Sequence, residues 1–241
     1  LINKKSKLFY FLVIIFVLSE ALIFISGERA AFFFINLSAI FVILFSKNLL
    51  RLRIIILLLS FSLIIFVSII NPNAKERIIN QTFEQMNLFQ KEELKKKEIN
   101  IFTSTHTQHY ISAYKIFLDN KLFGVGIKNF RNFCSNKKYK SEKSCATHPH
   151  NTYIQLLSET GLIGFGLFLF VFIYYCAYVI KHLLSKIKGK HLFSDLEICI
   201  LSGILIYIWP FVPTGSIFNN WLNIISFLNF PFLIWSRKYL N

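Results

Sequence analysis

The richest chemistry in this 241-residue chain lies in Thr147-His148-Pro149-His150-Asn151-Thr152-Tyr153-Ile154-Gln155 and runs on to Gly161-Leu162. Imidazole titrates near neutral pH and can serve as a general base. Pro149 suits the first turn of a helix. Asn151, Gln155 and Glu159 recur every four residues, so one face of that helix is polar. The amides and dipole at its start, His148–Asn151, would favour an anion. The same segment leads into a long apolar run, and a polar stripe entering a membrane helix is costly unless it faces protein or water. Two readings stand. One is an anion-binding, catalytic site at a membrane interface. In the other, His148 and His150 merely anchor a helix at the lipid headgroups.

The preceding polar segment holds further candidates. Cys134 and Cys145 are eleven positions apart. In an oxidising compartment they are natural disulfide partners; two free thiols are the alternative. A zinc site of Cys134, Cys145, His148 and His150 would need a spacing that zinc sites do not usually show. Leu122-Phe123-Gly124-Val125-Gly126 contains a Gly-x-Gly. A dinucleotide fingerprint would want Gly where Asn129 stands, so a tight turn is the better account.

The elements that must position these residues are helices in a membrane. The composition is 54% hydrophobic and 17% aromatic, with 28 Phe. Only 16% of residues are charged, against about 25% in soluble domains. Six stretches approach the roughly 17–25 apolar residues a spanning helix needs: Leu8–Ser26, Ala30–Ser46, Ile54–Ile70, Ile154–Ile180, Leu196–Val212 and Ile217–Ser236. The chain is therefore expected to be an all-α polytopic membrane protein. Residues 1–70 hold spans one to three, 71–153 a large external loop with amphipathic helices, and 154–241 spans four to six. The loop helices are expected over Ala74–Glu98 and on the face Tyr110, Ala113, Tyr114, Phe117 and Leu118. The absence of an initial Met, with Met86 the only one, suggests the C-terminal part of a longer protein.

The net charge of +15 invites a nucleic-acid reading, but the positions of the charges argue against it. Lys4, Lys5, Lys7, Lys47, Arg51, Arg53, Lys181, Lys186, Lys188, Lys190, Arg237 and Lys238 all fall on one side of the expected spans. That is the positive-inside pattern, and it puts the long loop outside. Glu20 sits inside the first apolar run, where an ionisable residue is a functional candidate. It could pair with Arg29 or be protonated.

Three places in the sequence resemble the O-antigen ligase and Wzy-type polymerase superfamily of bacterial membrane glycosyltransferases. His150-Asn151, nine residues, then Gly161-Leu162 resembles the family's histidine motif at the end of its large periplasmic loop. Ser26-Gly27-Glu28-Arg29-Ala30-Ala31 resembles the segment that carries the family's diphosphate-binding Arg. Ala113 to Phe117, Leu122-Phe123-Gly124-Val125-Gly126 and Phe130 resemble the helix and turn that open the loop.

The resemblance implies about twelve spans in a GT-C-like fold, of which this chain would be the second half. It implies transfer of glycan, without metal or other cofactor, from an undecaprenyl-diphosphate carrier to lipid A core or a growing polysaccharide. That transfer would invert the anomeric centre, at the periplasmic face of the bacterial inner membrane. His150 matches the catalytic histidine, and Arg29 the Arg that holds the diphosphate. His148, Asn151 and His106 are expected to bind substrate beside it. Many members carry a second Arg ahead of the loop helix; here His106 stands there, with His109 nearby, and Arg131 or a Lys is another source of charge. If Arg29 and His150 engage one diphosphate-sugar, their side chains should lie within about 10–12 Å, a reach set by geometry before pKa.

The competing readings are a membrane transporter of an anion or small solute, and a membrane-anchored structural protein with a peripheral cap. A transporter would gather its polar groups at the bilayer midplane, whereas these cluster at the external interface.

Overall fold

A computed structural model describes residues 7–86, 102–141 and 145–239, and every regular element among them is helical. The chain divides into two compact units, Leu1–Asn100 and Ile101–Asn241.

The first unit begins with α1 (Lys7–Ser26), α2 (Arg29–Phe45) and α3 (Leu50–Ile70). Gly27 ends α1 at φ 73°, and a Cβ there would meet the Arg77 side chain at 2.6 Å. Only glycine takes that backbone routinely. After α3, Asn71 accepts from the Ala74 amide and Pro72 opens the next helix. This one runs as α4 (Pro72–Lys75), a π-helical turn (Glu76–Asn80) and α5 (Gln81–Gln85). Of the helix expected over Ala74–Glu98, positions 87–98 lie outside the described residues. Phe24, Ile64, Ala74 and Ile78 form the buried core. The outward faces stay apolar, with Leu58, Ile65 and Ile69 exposed, as lipid-facing helices require. Glu20 lies one turn before Phe24, fully buried, and neither carboxyl oxygen has a hydrogen-bond partner among the described residues.

The second unit contains α6 (Ser104–Asp119), α7 (Phe130–Phe133), α8 (Thr152–Ile187), α9 (Asp195–Ile208), α10 (Asn220–Phe227) and α11 (Asn229–Tyr239). Thr103 caps α6, which packs on α8. Its buried face is His109, Ser112, Ala113 and Ile116, while Tyr114 and Leu118 are exposed. The expected apolar face is thus rotated. The start of α8 is polar, so small and imidazole side chains turn inward against it.

Gly161 breaks α8 with φ 65° and ψ −161°. The turn Leu122–Gly126 fits into that break. The Val125 and Gly126 amides donate to the Ser158 and Glu159 carbonyls at 3.0 and 2.9 Å, and the Leu162 amide donates to the Lys121 carbonyl at 2.8 Å. A helix kink frees backbone groups that need other partners, and the Gly-x-Gly turn supplies them.

The expectation of six spans, as half of a twelve-span fold, fails. Among the described residues three helices are long and apolar enough to cross a membrane: α1, α3 and α8. The apolar α2 has only 17 residues. Pro210 holds Trp209 extended and stops α9 at 14 residues, about 21 Å of helix against a hydrocarbon core of about 30 Å. The last expected span is two short helices of 8 and 11 residues. Pro231 has no amide hydrogen to donate back to Phe227, which favours the break at Leu228. α11 is tied to α9 by the Arg237 guanidinium, 2.9 Å from the buried Glu197 carboxylate.

Candidate active site

The site is assembled where α6 meets the start of α8. Asn151 forms the N-cap of α8. Its Oδ1 accepts from the Tyr153 and Ile154 amides at 3.0 and 3.1 Å, and its Nδ2 donates to the Pro210 carbonyl at 2.8 Å. Its side-chain amide is engaged within the fold, and two of the helix-start amides are taken by it.

His150 precedes the cap with φ 59°. A non-glycine residue in this left-handed region costs about 1–3 kcal/mol, a strain that clusters at functional sites. The 213–216 turn holds it there, because the Thr214 amide donates to the His150 carbonyl at 2.9 Å. Pro149, on its other side, is fully buried.

Four imidazoles converge. The His150 ring centroid lies 4.2 Å from that of His148 and 5.6 Å from both His106 and His109. His106 and His109 stand one turn apart at the start of α6, and the Thr103 hydroxyl is 2.8 Å from His106 Nδ1. His148 Nε2 lies 3.3 Å from the Thr214 carbonyl, and its Nδ1 lies 3.0 Å from the Thr147 hydroxyl. A carbonyl only accepts, so Nε2 carries the proton and Nδ1 accepts from the hydroxyl, an assignment made from this network.

Burial, reinforced by the neighbouring His148, His106 and His109, pushes the His150 imidazole down to about 4. Burial also lowers the His148 imidazole, against an upward pull from its Thr214 hydrogen bond. Each ring is thereby kept neutral at pH 7, with a lone pair able to accept a proton.

The polar stripe of α8 fastens the surrounding loops. The Glu159 carboxylate, fully buried, accepts from the Lys128 and Phe130 amides at 3.0 and 2.9 Å and from Gln155 Nε2 at 3.0 Å. Gln155 Nε2 also donates to the Ser216 hydroxyl at 2.9 Å, and its Oε1 accepts from the Ile217 amide at 3.2 Å. One Gln–Glu pair thus holds the 128–130 turn and the 213–217 turn against α8. Gln155, Glu159 and Thr214 escaped the sequence reading as positioning residues. The four-residue spacing of the stripe signalled the first two, and nothing local marked Thr214.

Cys134 and Cys145 are joined by a disulfide, with Cα atoms 5.2 Å apart. The bond closes the loop that leads from α7 to the histidine segment. Converting both residues to Ser is expected to cost about 2–3 kcal/mol, the constraint lost from a short loop. Thermal unfolding in detergent micelles, with and without reductant, checks this: reductant should lower the wild-type transition and leave that of the double variant unchanged. Among the described residues no group of three or more His, Cys, Asp or Glu is arranged to hold a metal ion.

Arg29 belongs to the first unit. It is the first residue of α2, and its Nη1 donates to Gln85 Oε1 at 2.6 Å. The neighbouring Glu28 carboxylate is 3.8 Å from Arg77 Nη2. Both members of that pair are largely exposed, and such pairs contribute little.

Apolar helices long enough to span a bilayer, one of them beginning at a polar segment that gathers histidines, define a membrane protein. The chain belongs to the O-antigen ligase family (Wzy_C), whose model matches residues 12–169. It is accordingly an enzyme of the glycosyltransferase type, and membership implies a lipid-linked glycan donor and an acceptor as its partners. The match covers α2 with Arg29, the disulfide loop, the histidine cluster and the break at Gly161. No curated protein and no solved structure matches the chain.

Proposed function

We propose that the chain transfers glycan from an undecaprenyl-diphosphate carrier to the hydroxyl of an acceptor sugar, on lipid A core or a growing polysaccharide. His150 is the base. The observation that carries the reading is a neutral imidazole, strained at φ 59° and held among three others, inside the segment the family match covers. His150 accepts the acceptor hydroxyl's proton as its oxygen attacks the anomeric carbon. The carbon–oxygen bond to the diphosphate breaks on the opposite face, so the configuration inverts. The leaving diphosphate gains charge, which Arg29 stabilises; a planar guanidinium suits two phosphate oxygens. Burial, reinforced by His148, His106 and His109, keeps His150 neutral before substrate arrives, and His106 and His148 also contact the sugar or phosphate. Asn151 acts on substrate through the cap that fixes His150.

We place residues 71–153 at the periplasmic face of the inner membrane. The Cys134–Cys145 disulfide supports this, since such bonds persist in oxidising compartments. So do Lys181 and Lys186 at the far end of α8 and Arg51 and Arg53 at the start of α3.

The test is glycan transfer in cells lacking their own ligase or polymerase, supplied with the whole protein or with His150→Ala or Arg29→Ala at matched membrane levels. Loss of transfer with accumulation of carrier-linked glycan is expected for both variants. Loss of long chains with one repeat still attached marks a polymerase, and loss of all attached glycan marks a ligase. Normal transfer by both variants would overturn the assignment.

A further inference from the structure

Beside the histidine cluster, wholly within the second unit, lies a cavity of about 430 Å³. Lys128 and Arg131 line it, with His148, Asn219, Asn220 and Trp221. Its size falls within the roughly 300–1,000 Å³ of small-molecule sites, enough for a sugar residue or two and too little for a chain.

The cationic wall is built in an unusual way. Lys128 takes the left-handed backbone conformation, φ 61°. The buried Glu159 carboxylate holds that conformation by accepting from the Lys128 and Phe130 amides. The next residue is Arg131. A carboxylate whose oxygens are occupied by backbone amides and Gln155 thus fixes a turn that presents two cations to the cavity. Neither cation has an ion-pair partner among the described residues. The Arg131 charge is felt at the His148 imidazole.

The rest of the lining is of another kind. Trp221 is 77% exposed, an unusually open position for so large an apolar ring. Asn219 fixes the start of its helix by accepting from the Trp221 amide at 3.1 Å. A flat apolar ring beside two carboxamides suits the C–H face and hydroxyls of a pyranose. The His148 ring that lines the cavity is 4.2 Å, centroid to centroid, from the His150 ring. Whatever fills the cavity therefore lies next to the proposed base.

We infer that this cavity binds a sugar bearing a phosphate or carboxylate group, with Lys128 and Arg131 on the anion and Trp221 against the ring. The inference rests on the glycan-transfer reading above, which makes a sugar the expected occupant. The anionic sugar belongs either to the donor, beside its diphosphate, or to the acceptor.

Equilibrium dialysis of the whole protein in lipid nanodiscs against radiolabelled hexose 6-phosphate, whose anion is not on the anomeric carbon, tests the cavity without catalysis. Wild type should bind it, with inorganic phosphate and the uncharged hexose each competing at least tenfold more weakly. Lys128→Gln, Arg131→Gln and Trp221→Ala should each weaken binding about tenfold, and Arg131→Lys and Trp221→Tyr should largely retain it. Absence of binding to wild type, equal competition by phosphate, or unchanged binding in the first three variants overturns the inference. Transfer kinetics of Arg131→Gln then name the source: a raised KM for the lipid-linked donor assigns the donor, and a raised KM for the acceptor assigns the acceptor. An unchanged KM for both counts against the site. His150→Ala separates the two proposals. Hexose 6-phosphate binding with transfer lost supports both, whereas retained transfer by His150→Ala defeats the function while the dialysis result still decides the cavity.

Discussion

Replacing His150 with Ala is expected to lower glycan transfer by about 10²–10⁴-fold, the usual contribution of a positioned base, with little change in the amount of folded protein in the membrane. The side chain is half-buried among other imidazoles and, among the described residues, carries no hydrogen bond that anchors a loop. The local fold hangs on its backbone carbonyl and on Asn151. Alanine at φ 59° keeps that carbonyl and adds no bulk. Asn151→Ala should behave differently. It removes a cap of about 1 kcal/mol and leaves the Pro210 carbonyl without its donor. Stability and activity should therefore fall together. Thermal unfolding beside the transfer rate tells the two apart. An active, stable His150→Ala protein would be incompatible with the proposed chemistry.

Gly161→Ala is expected to prevent the second unit from folding. A Cβ at Gly161 would stand 2.3 Å from the Leu122 carbonyl oxygen, with φ 65°. Both obstacles are backbone, so no rotamer change relieves them. The partner glycine is in the same position, since a Cβ at Gly124 would meet the Glu159 carbonyl carbon at 2.4 Å. Forcing the turn out of the α8 break would free the Ser158, Glu159 and Lys121 carbonyls and the amides that pair with them. At about 1–3 kcal/mol for each buried polar group left unpaired, the loss exceeds what a marginally stable domain tolerates. Membrane levels and the thermal transition of Gly161→Ala should both drop sharply. Gly166→Ala is the control, because nothing lies within 4 Å of a Cβ there. Wild-type stability for Gly161→Ala would show that α8 does not break as described.

These two glycines show how far the sequence could be read. The Gly-x-Gly turn was legible as a turn, and the stripe Asn151, Gln155 and Glu159 as a face that needed protein or water. The pairing of that turn with Gly161 was not legible, because Thr160-Gly161-Leu162-Ile163-Gly164 also reads as an ordinary apolar helix. The span count failed for a similar reason. Hydropathy registers Leu196–Val212 and Ile217–Ser236 as apolar, and it is insensitive to their single prolines: Pro210, just past the end of α9, and Pro231, in the first turn of α11 after the break at Leu228. On α6 the pattern rule counted histidine and serine as outward residues. Tertiary packing put His109 and Ser112 inside, because their partner is the polar start of α8. The histidine motif itself was plain. The pair on α6, His106 and His109, also stood out in the sequence; that both rings close on His150, 5.6 Å from it, became visible only in three dimensions.

The central claim is that glycan transfer depends on a histidine kept neutral by burial and by its neighbours. The most direct test is the pH dependence of transfer by the purified protein, followed as both kcat/KM and kcat. The first reports the free enzyme and the second the substrate complex. His150 in the free protein stays neutral until the pH falls toward about 4. The account predicts kcat/KM unchanged from pH 8 to about 5, then falling as the imidazole is protonated. A bound diphosphate favours the protonated ring, so kcat should fall at a higher pH than kcat/KM. A kcat/KM profile with its midpoint near the ordinary histidine value of about 6.5, or one that the His150→Ala variant reproduces, would contradict the account.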